Sequence, residues 1–190
     1  LTHLDAEIRS SAINARNTIE SLLKLNSIPI INENDTVATQ ELRYGDNDQL
    51  AARVAQITSS NLLIILSDVD GLYTSNPKKS SDALLTKYIK KITKSIEKQA
   101  ENTSSSIAVG GMKTKIKAAK IALAAGCNII ITSGNKLRPI SSIMQKANFS
   151  LFLTDTSPKT ARKKWISSQM KIKGNITIDK GADCLLYTSP

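Results

Sequence analysis

Two short runs constrain this chain more than anything else in it: Leu62-Leu63-Ile64-Ile65-Leu66 and Asn128-Ile129-Ile130-Ile131-Thr132. A continuous apolar run of strand length has no polar face to turn toward water. It reads as a strand covered on both sides, the habit of parallel sheets flanked by helices. Ile28-Pro29-Ile30-Ile31 reads as a third strand with Pro at its start, and Ser150-Leu151-Phe152-Leu153 as a fourth.

Helical patterns separate these runs. Leu4, Ile8, Ala12, Ala15, Ile19 and Leu22 recur at spacings of four and three, which predicts one amphipathic helix ending near Leu25-Asn26. Leu50, Val54 and Ile57 mark a second helix, opened by the cap types Asp46-Asn47-Asp48. Leu85, Ile89, Ile92 and Ile96 predict a lysine-ringed, exposed helix. Ile116 to Ala125 predicts an Ala-rich helix closed by Gly126, and Pro139 opens another. Strands alternating with helices from residue 4 to about 153 predict an α/β domain with a largely parallel sheet.

Composition excludes several classes. Of the 190 residues, 41% are apolar and 22% charged, a globular balance and not a disordered one. No run of eighteen apolar residues occurs, so no helical membrane span is expected. Cys127 and Cys184 form neither a metal-ligand spacing nor a disulfide framework, which fits a reducing, cytoplasmic compartment. The net charge of +10 is uneven: residues 1–75 carry 5 Lys+Arg against 10 Asp+Glu, and residues 76–190 carry 21 against 6. Such a basic half suits nucleic acid, a phosphorylated ligand or a merely solubilising surface. Few aromatics accompany the lysines, which argues against single-strand stacking and makes RNA an unfavoured partner.

In open α/β sheets, ligands sit at the carboxyl ends of the strands. Three polar clusters follow strands here: Asn32-Glu33-Asn34-Asp35, Ser67-Asp68-Val69-Asp70-Gly71-Leu72-Tyr73-Thr74 and Ser133-Gly134-Asn135. Each alone is an ordinary polar turn; three on one sheet edge suggest a site. Gly45-Asp46-Asn47-Asp48 holds more carboxylate than a helix cap requires, and suits capping, Mg²⁺, a lysine or a substrate ammonium group. Val109-Gly110-Gly111-Met112-Lys113-Thr114-Lys115 opens the Ala-rich helix. It is either a flexible lead-in or a phosphate cradle, with free N–H groups at the helix start and Lys115 as a point charge. It is not a Walker loop, which needs a different spacing.

Taken together with Asn14-Ala15-Arg16-Asn17-Thr18 and the stretch from Pro29 to Thr39, these motifs resemble the amino acid kinase family in order and approximate spacing, from the first residues to about Ala182. The Asn-Glu-Asn-Asp and Gly-Asp-Asn-Asp pair is similar to the branch that phosphorylates the side-chain carboxylate of L-glutamate, the first step of proline biosynthesis. The resemblance implies a three-layer αβα sandwich with a mainly parallel sheet, ATP with Mg²⁺, and no metal ligand set of the protein's own. It implies that Asn32, Asp35 and Asn47 bind glutamate and that Asp46 helps hold the metal–substrate side. Ser67, Asp68, Val109, Gly110, Gly111, Met112, Lys113, Thr114 and Lys115 would bind ATP. Lys115 would stabilise the transferring phosphoryl group and Asp48 would organise the catalytic lysines. A homo-oligomer and feedback inhibition by proline are further implications. Relatives with an aspartate or nucleoside monophosphate substrate are the alternative within the family.

Two departures stand out. Val109 occupies a position where the family often has Thr, and the family's opening strand and glycine-rich loop with its Lys have no counterpart here. Residues 1–156 are therefore expected to be the later part of a kinase domain lacking roughly the first hundred residues of a whole enzyme, inactive and poorly stable alone. Residues 157–173 read as a basic linker. From 174 the period-two alternation Gly174-Asn175-Ile176-Thr177-Ile178-Asp179-Lys180-Gly181 reads as the truncated start of a small β-rich unit resembling a PUA domain. Cys184 to Pro190 fits neither and reads as non-native sequence.

Overall fold

A computed structural model describes residues 1–34, 46–77, 80–103, 111–135, 137–145 and 147–169, with the backbone alone for His3, Leu4, Asp46, Asn102, Thr103 and 164–169. The elements are α1 (His3–Glu7), α2 (Arg9–Lys24), α3 (Asp46–Thr58), β1 (Leu62–Ser67), β2 (Tyr88–Ile89), α4 (Lys94–Thr103), α5 (Gly111–Ala124), β3 (Asn128–Ser133), α6 (Pro139–Met144), β4 (Phe149–Phe152) and α7 (Pro158–Gln169).

The four strands lie in the order β1-β3-β4-β2. β1 and β3 are parallel in full register, Leu62 beside Asn128 through Ser67 beside Ser133. β2 runs parallel to β4, while β4 runs antiparallel to β3. The sheet is therefore mixed and mainly parallel. One face carries Ile65, Ile129, Ile131, Ile89 and Phe152, which join Ala52 and Ala55 of α3, Ala100 of α4, and Met112, Ile116, Ala118, Ala119 and Ala122 of α5 in one core. The alanines of α5 let that helix lie close on the strands, so β3 contributes Ile129 and Ile131 at 0% exposure. On the opposite face, Leu62 and Leu66 remain 46% exposed.

Both helices of this layer return to a strand through three residues: 59–61 between α3 and β1, and 125–127 between α5 and β3. A turn that short forces helix and strand to run in opposite directions. A 13-residue helix and a six-residue strand each span about 20 Å. The N-termini of α3 and α5 therefore come to the edge where β1 and β3 end. Gly126 makes the second turn possible. Its φ is +76°, and a Cβ there would stand 2.5 Å from the Ser157 carbonyl carbon.

Three expectations need correction. Residues 28–31 are not a strand: Ile28 and Ile30 are 88% and 97% exposed, and no strand stands beside them among the described residues. An apolar run becomes a strand only when a neighbour supplies the ladder. Here the segment is tied by the Asn34 N–H donating to the Leu1 carbonyl at 3.0 Å. Second, residues 85–98 are not one helix. Tyr88-Ile89 pairs with Leu151-Phe152, and the Leu151 N–H reaches the Lys87 carbonyl at 2.7 Å. The helix starts only at Lys94, behind Thr93, which accepts from the Ile96 N–H. The apolar spacing that imitates a helix is shared between a strand and the helix after it. Third, the first helix is broken at Ile8, whose backbone is extended, into α1 and α2. Thr2 and Asp5 cap α1 reciprocally, and those hydrogen bonds hold the Asp5 carboxyl below its ordinary range. The segment expected as a linker carries α7 over Pro158–Gln169. The β-rich unit expected from 174 lies outside the described residues, as do Asp35, Val109 and Gly110.

Candidate active site

Asp48 lies in the first turn of α3 and Lys115 in the second turn of α5. Their side chains meet, Lys115 Nζ donating to Asp48 Oδ2 at 3.1 Å, with exposures of 13% and 20%. The pair joins two helix N-termini at the carboxyl edge of the sheet. A carboxylate there complements the positive helix ends, and it also holds the part-buried lysine in one direction. Thr114 adds a second tie. Its hydroxyl faces Asp48 Oδ2 at 3.2 Å and the Gly111 carbonyl at 2.9 Å, either of which it can donate to. The sequence reading gave Thr114 to the nucleotide and missed this link; a threonine directly before the lysine carries no signal of it.

The residues expected at the phosphate side separate by what their side chains do. Gly111 begins α5, so its backbone is part of the free N–H end of that helix. Met112 is 6% exposed, and its side chain packs in the core. Lys113 turns outward to an exposed ion pair with Glu101 at 3.2 Å. Lys115 alone among these lysines joins Asp48.

On the acid side, Asn32 and Asn47 line one cavity of about 300 Å³, with Leu50, Val54, Leu62 and Leu63 as its apolar wall. Two residues 15 positions apart in the chain thus line the same cavity. Asp46 starts α3, and its side chain lies outside the description.

The third cluster sits at the ends of β1 and β3. The Ser67 hydroxyl donates to Asp68 Oδ1 at 3.0 Å. The Gly134 N–H donates to the Ser67 carbonyl at 2.7 Å, so Ser133-Gly134-Asn135 is fastened to Ser67-Asp68. Further along, Tyr73 is part-buried, and burial together with the neighbouring Asp70 charge pushes its hydroxyl above the ordinary range. It stays neutral and keeps its proton for hydrogen bonding at physiological pH.

Among the described residues no group of three or more His, Cys, Asp and Glu stands together. These side chains form no cage for a metal. Mg²⁺ needs only one or two carboxylates when phosphate oxygens and water complete its shell. No helix among the described residues is long and apolar enough to cross a membrane.

The sequence was also compared with known proteins. Residues 3–133 match the model of the amino acid kinase family. A glutamate 5-kinase from Agrobacterium fabrum is 52% identical over 187 residues, 98% of this chain and 48% of that protein. One from Nitrobacter hamburgensis is 49% identical over 182 residues, 96% of this chain and 48% of the other. The chain thus spans about half the length of the relatives it matches. Among solved structures, the UMP kinase from Ureaplasma parvum aligns with a TM-score of 0.52 at 17% identity, over 73% of this chain and 53% of that one, a likeness of fold.

Proposed function

This chain belongs to the amino acid kinase family, and on that premise we propose that it is the part of a glutamate 5-kinase that carries the acid pocket and half of the phosphate site. In that reading ATP phosphorylates the side-chain carboxylate of L-glutamate. One carboxylate oxygen forms a bond to the γ-phosphorus as the bond from that phosphorus to the bridging oxygen breaks, and ADP leaves. The nucleophile is already ionised at neutral pH, so no general base is needed and catalysis is positioning with charge stabilisation.

The observation that carries the reading is the Asp48–Lys115 pair at 3.1 Å. It links the helix that presents Asn47 to the helix whose N-terminus suits phosphate. Asn32 and Asn47 orient glutamate; Asp35 and Asp46 complete that side. Ser67, Asp68 and the backbone from Val109 to Thr114 hold the nucleotide. Lys115 neutralises charge on the phosphoryl group in transfer, and Asp48 keeps it in line. Mg²⁺ accompanies ATP and screens its phosphates. In this reading the reaction opens proline biosynthesis and runs in the cytoplasm. Assembly as a homo-oligomer, inhibition by proline, the division into a kinase part at 1–156, a linker at 157–173 and a PUA-like unit from 174 belong to the same proposal.

The test uses the full-length protein. Glutamate-dependent ADP formation, with aspartate and UMP as competing acceptors, is expected to be selective for glutamate. Turnover with aspartate or UMP in preference to glutamate overturns the substrate.

A further inference from the structure

Ser150 lies in β4, beyond the residues that match the family model, and is 0% exposed. A hydroxyl at that depth needs partners, and it finds them outside its own sheet. It accepts from the Leu72 N–H at 2.8 Å and donates to the Thr86 carbonyl at 2.7 Å. One oxygen thus fastens two segments that are 78 and 64 positions away from it. The same two segments are bonded to each other: Thr86 N–H to the Leu72 carbonyl at 2.8 Å, and Thr74 N–H to the Leu84 carbonyl at 2.9 Å. Gly71 lies directly on the hydroxyl, and a Cβ at that position would overlap Ser150 Oγ and stand 2.9 Å from Ser150 N. Leu72 follows at 0% exposure in the core. Ser67 itself is held in β1 beside Ser133, but the turn that follows it, Asp68 to Thr74, is seated on Ser150 at Gly71 and Leu72, and Asp68 is one of the residues the proposed function gives to the nucleotide.

We propose that Ser150 is a positioning residue for nucleotide binding, its hydroxyl joining Leu72 to Thr86 beneath Gly71 and so fixing the turn in which Asp68 stands. The inference rests on the kinase reading for the identity of the ligand. Without the hydroxyl, a buried N–H and a buried carbonyl lose their partner, and the turn moves to recover one. The acid pocket of Asn32 and Asn47 takes nothing from Ser150. The effect is thus one-sided: weaker nucleotide, unchanged acid.

The experiment compares wild type, Ser150→Ala and Thr132→Val in the full-length protein. Thr132 is a control of equal depth, 1% exposed, and its hydroxyl donates to the Asn148 carbonyl at 2.9 Å. S150A is expected to raise KM for ATP about tenfold with KM for glutamate steady, the scale on which misplaced positioning groups act. Hydrogen exchange in the 70–74 amides is expected to quicken with it. T132V is expected to lower Tm without either change. The proposal is overturned if S150A loses Tm as T132V does while KM for ATP and exchange stay at wild-type values, or if both KM values rise together. Should S150A not fold, Ser150→Gly, which removes the hydroxyl and adds no volume, is read in the same way. Equilibrium affinity for a non-hydrolysable ATP analogue is measured on each variant. If wild type binds the analogue but phosphorylates no glutamate, the kinase reading fails, and the affinity ratio of S150A to wild type still decides the role of Ser150.

Discussion

The Asp48 carboxylate and the Lys115 ammonium stand 3.1 Å apart across the N-termini of α3 and α5, with most of both side chains withdrawn from water. A lysine held this way has a fixed position before any phosphate arrives. Asp48→Asn keeps the size but removes the charge that holds Lys115. In the full-length protein it is expected to lower kcat by about 10²- to 10³-fold, the range for loss of one preorganised electrostatic group. Lys115→Met is expected to do at least as much. Steady-state ADP formation checks both, and near-normal turnover in either removes the assigned role.

Thr114 separates the two roles that its position allows. If its hydroxyl serves Asp48, Thr114→Ser retains the contact and Thr114→Val loses it. The Val variant is expected to lower kcat about tenfold with KM for ATP little changed, since one neutral-to-charged hydrogen bond of about 1.5–3 kcal/mol is at stake. The Ser variant stays near wild type. A rise in KM for ATP with kcat intact would return Thr114 to direct nucleotide contact.

The turn between α5 and β3 sets where Lys115 stands relative to the end of β3. Gly126→Ala places a Cβ at φ +76° and 2.5 Å from the Ser157 carbonyl carbon. The expected loss is about 1–3 kcal/mol, the usual range for overpacking together with left-handed strain. Chemical denaturation measures it. An unchanged midpoint would mean that the segment at Ser157–Pro158 does not pack on this turn.

How far the sequence reveals this arrangement depends on the range of the interaction. β1 and β3 are legible because unbroken isoleucine and leucine runs have no other stable use, α3 because of its apolar spacing, and α5 because of its apolar spacing and the Gly126 stop behind it. No local pattern signals that Asn32 and Asn47 line one cavity or that Asp48 and Lys115 pair across two helices. Tyr88-Ile89 was hidden because a two-residue strand has no period of its own, and Ile92 and Ile96 extend its spacing into the helix behind it. Ile28 to Ile31 failed in the opposite sense: the residues suit a strand, and the neighbour that would pair with them is not among the described elements. Thr114 and Ser150 gave no warning, because a hydroxyl's partners 60 or more positions away leave no trace in the residues beside it.

Cys127 links the same turn to pH. Its side chain is 0% exposed in the core, and burial pushes the thiol from 9.0 up to about 11. The folded chain therefore keeps a proton that the unfolded chain has already lost between those two values. Stability from this group is complete below pH 9.0, falls as pH rises through the window, and has gone above about pH 11. Two pH units correspond to about 2–3 kcal/mol at most. Cys127→Ala removes the titration and little volume. The difference in denaturation midpoint between wild type and C127A is expected to shift in the variant's favour from pH 9.0 to about pH 11. A constant difference across that window would mean that the thiol reaches solvent and titrates alike in both states. Alkylation gives a second reading, with Cys127 expected to react only at the rate of global opening.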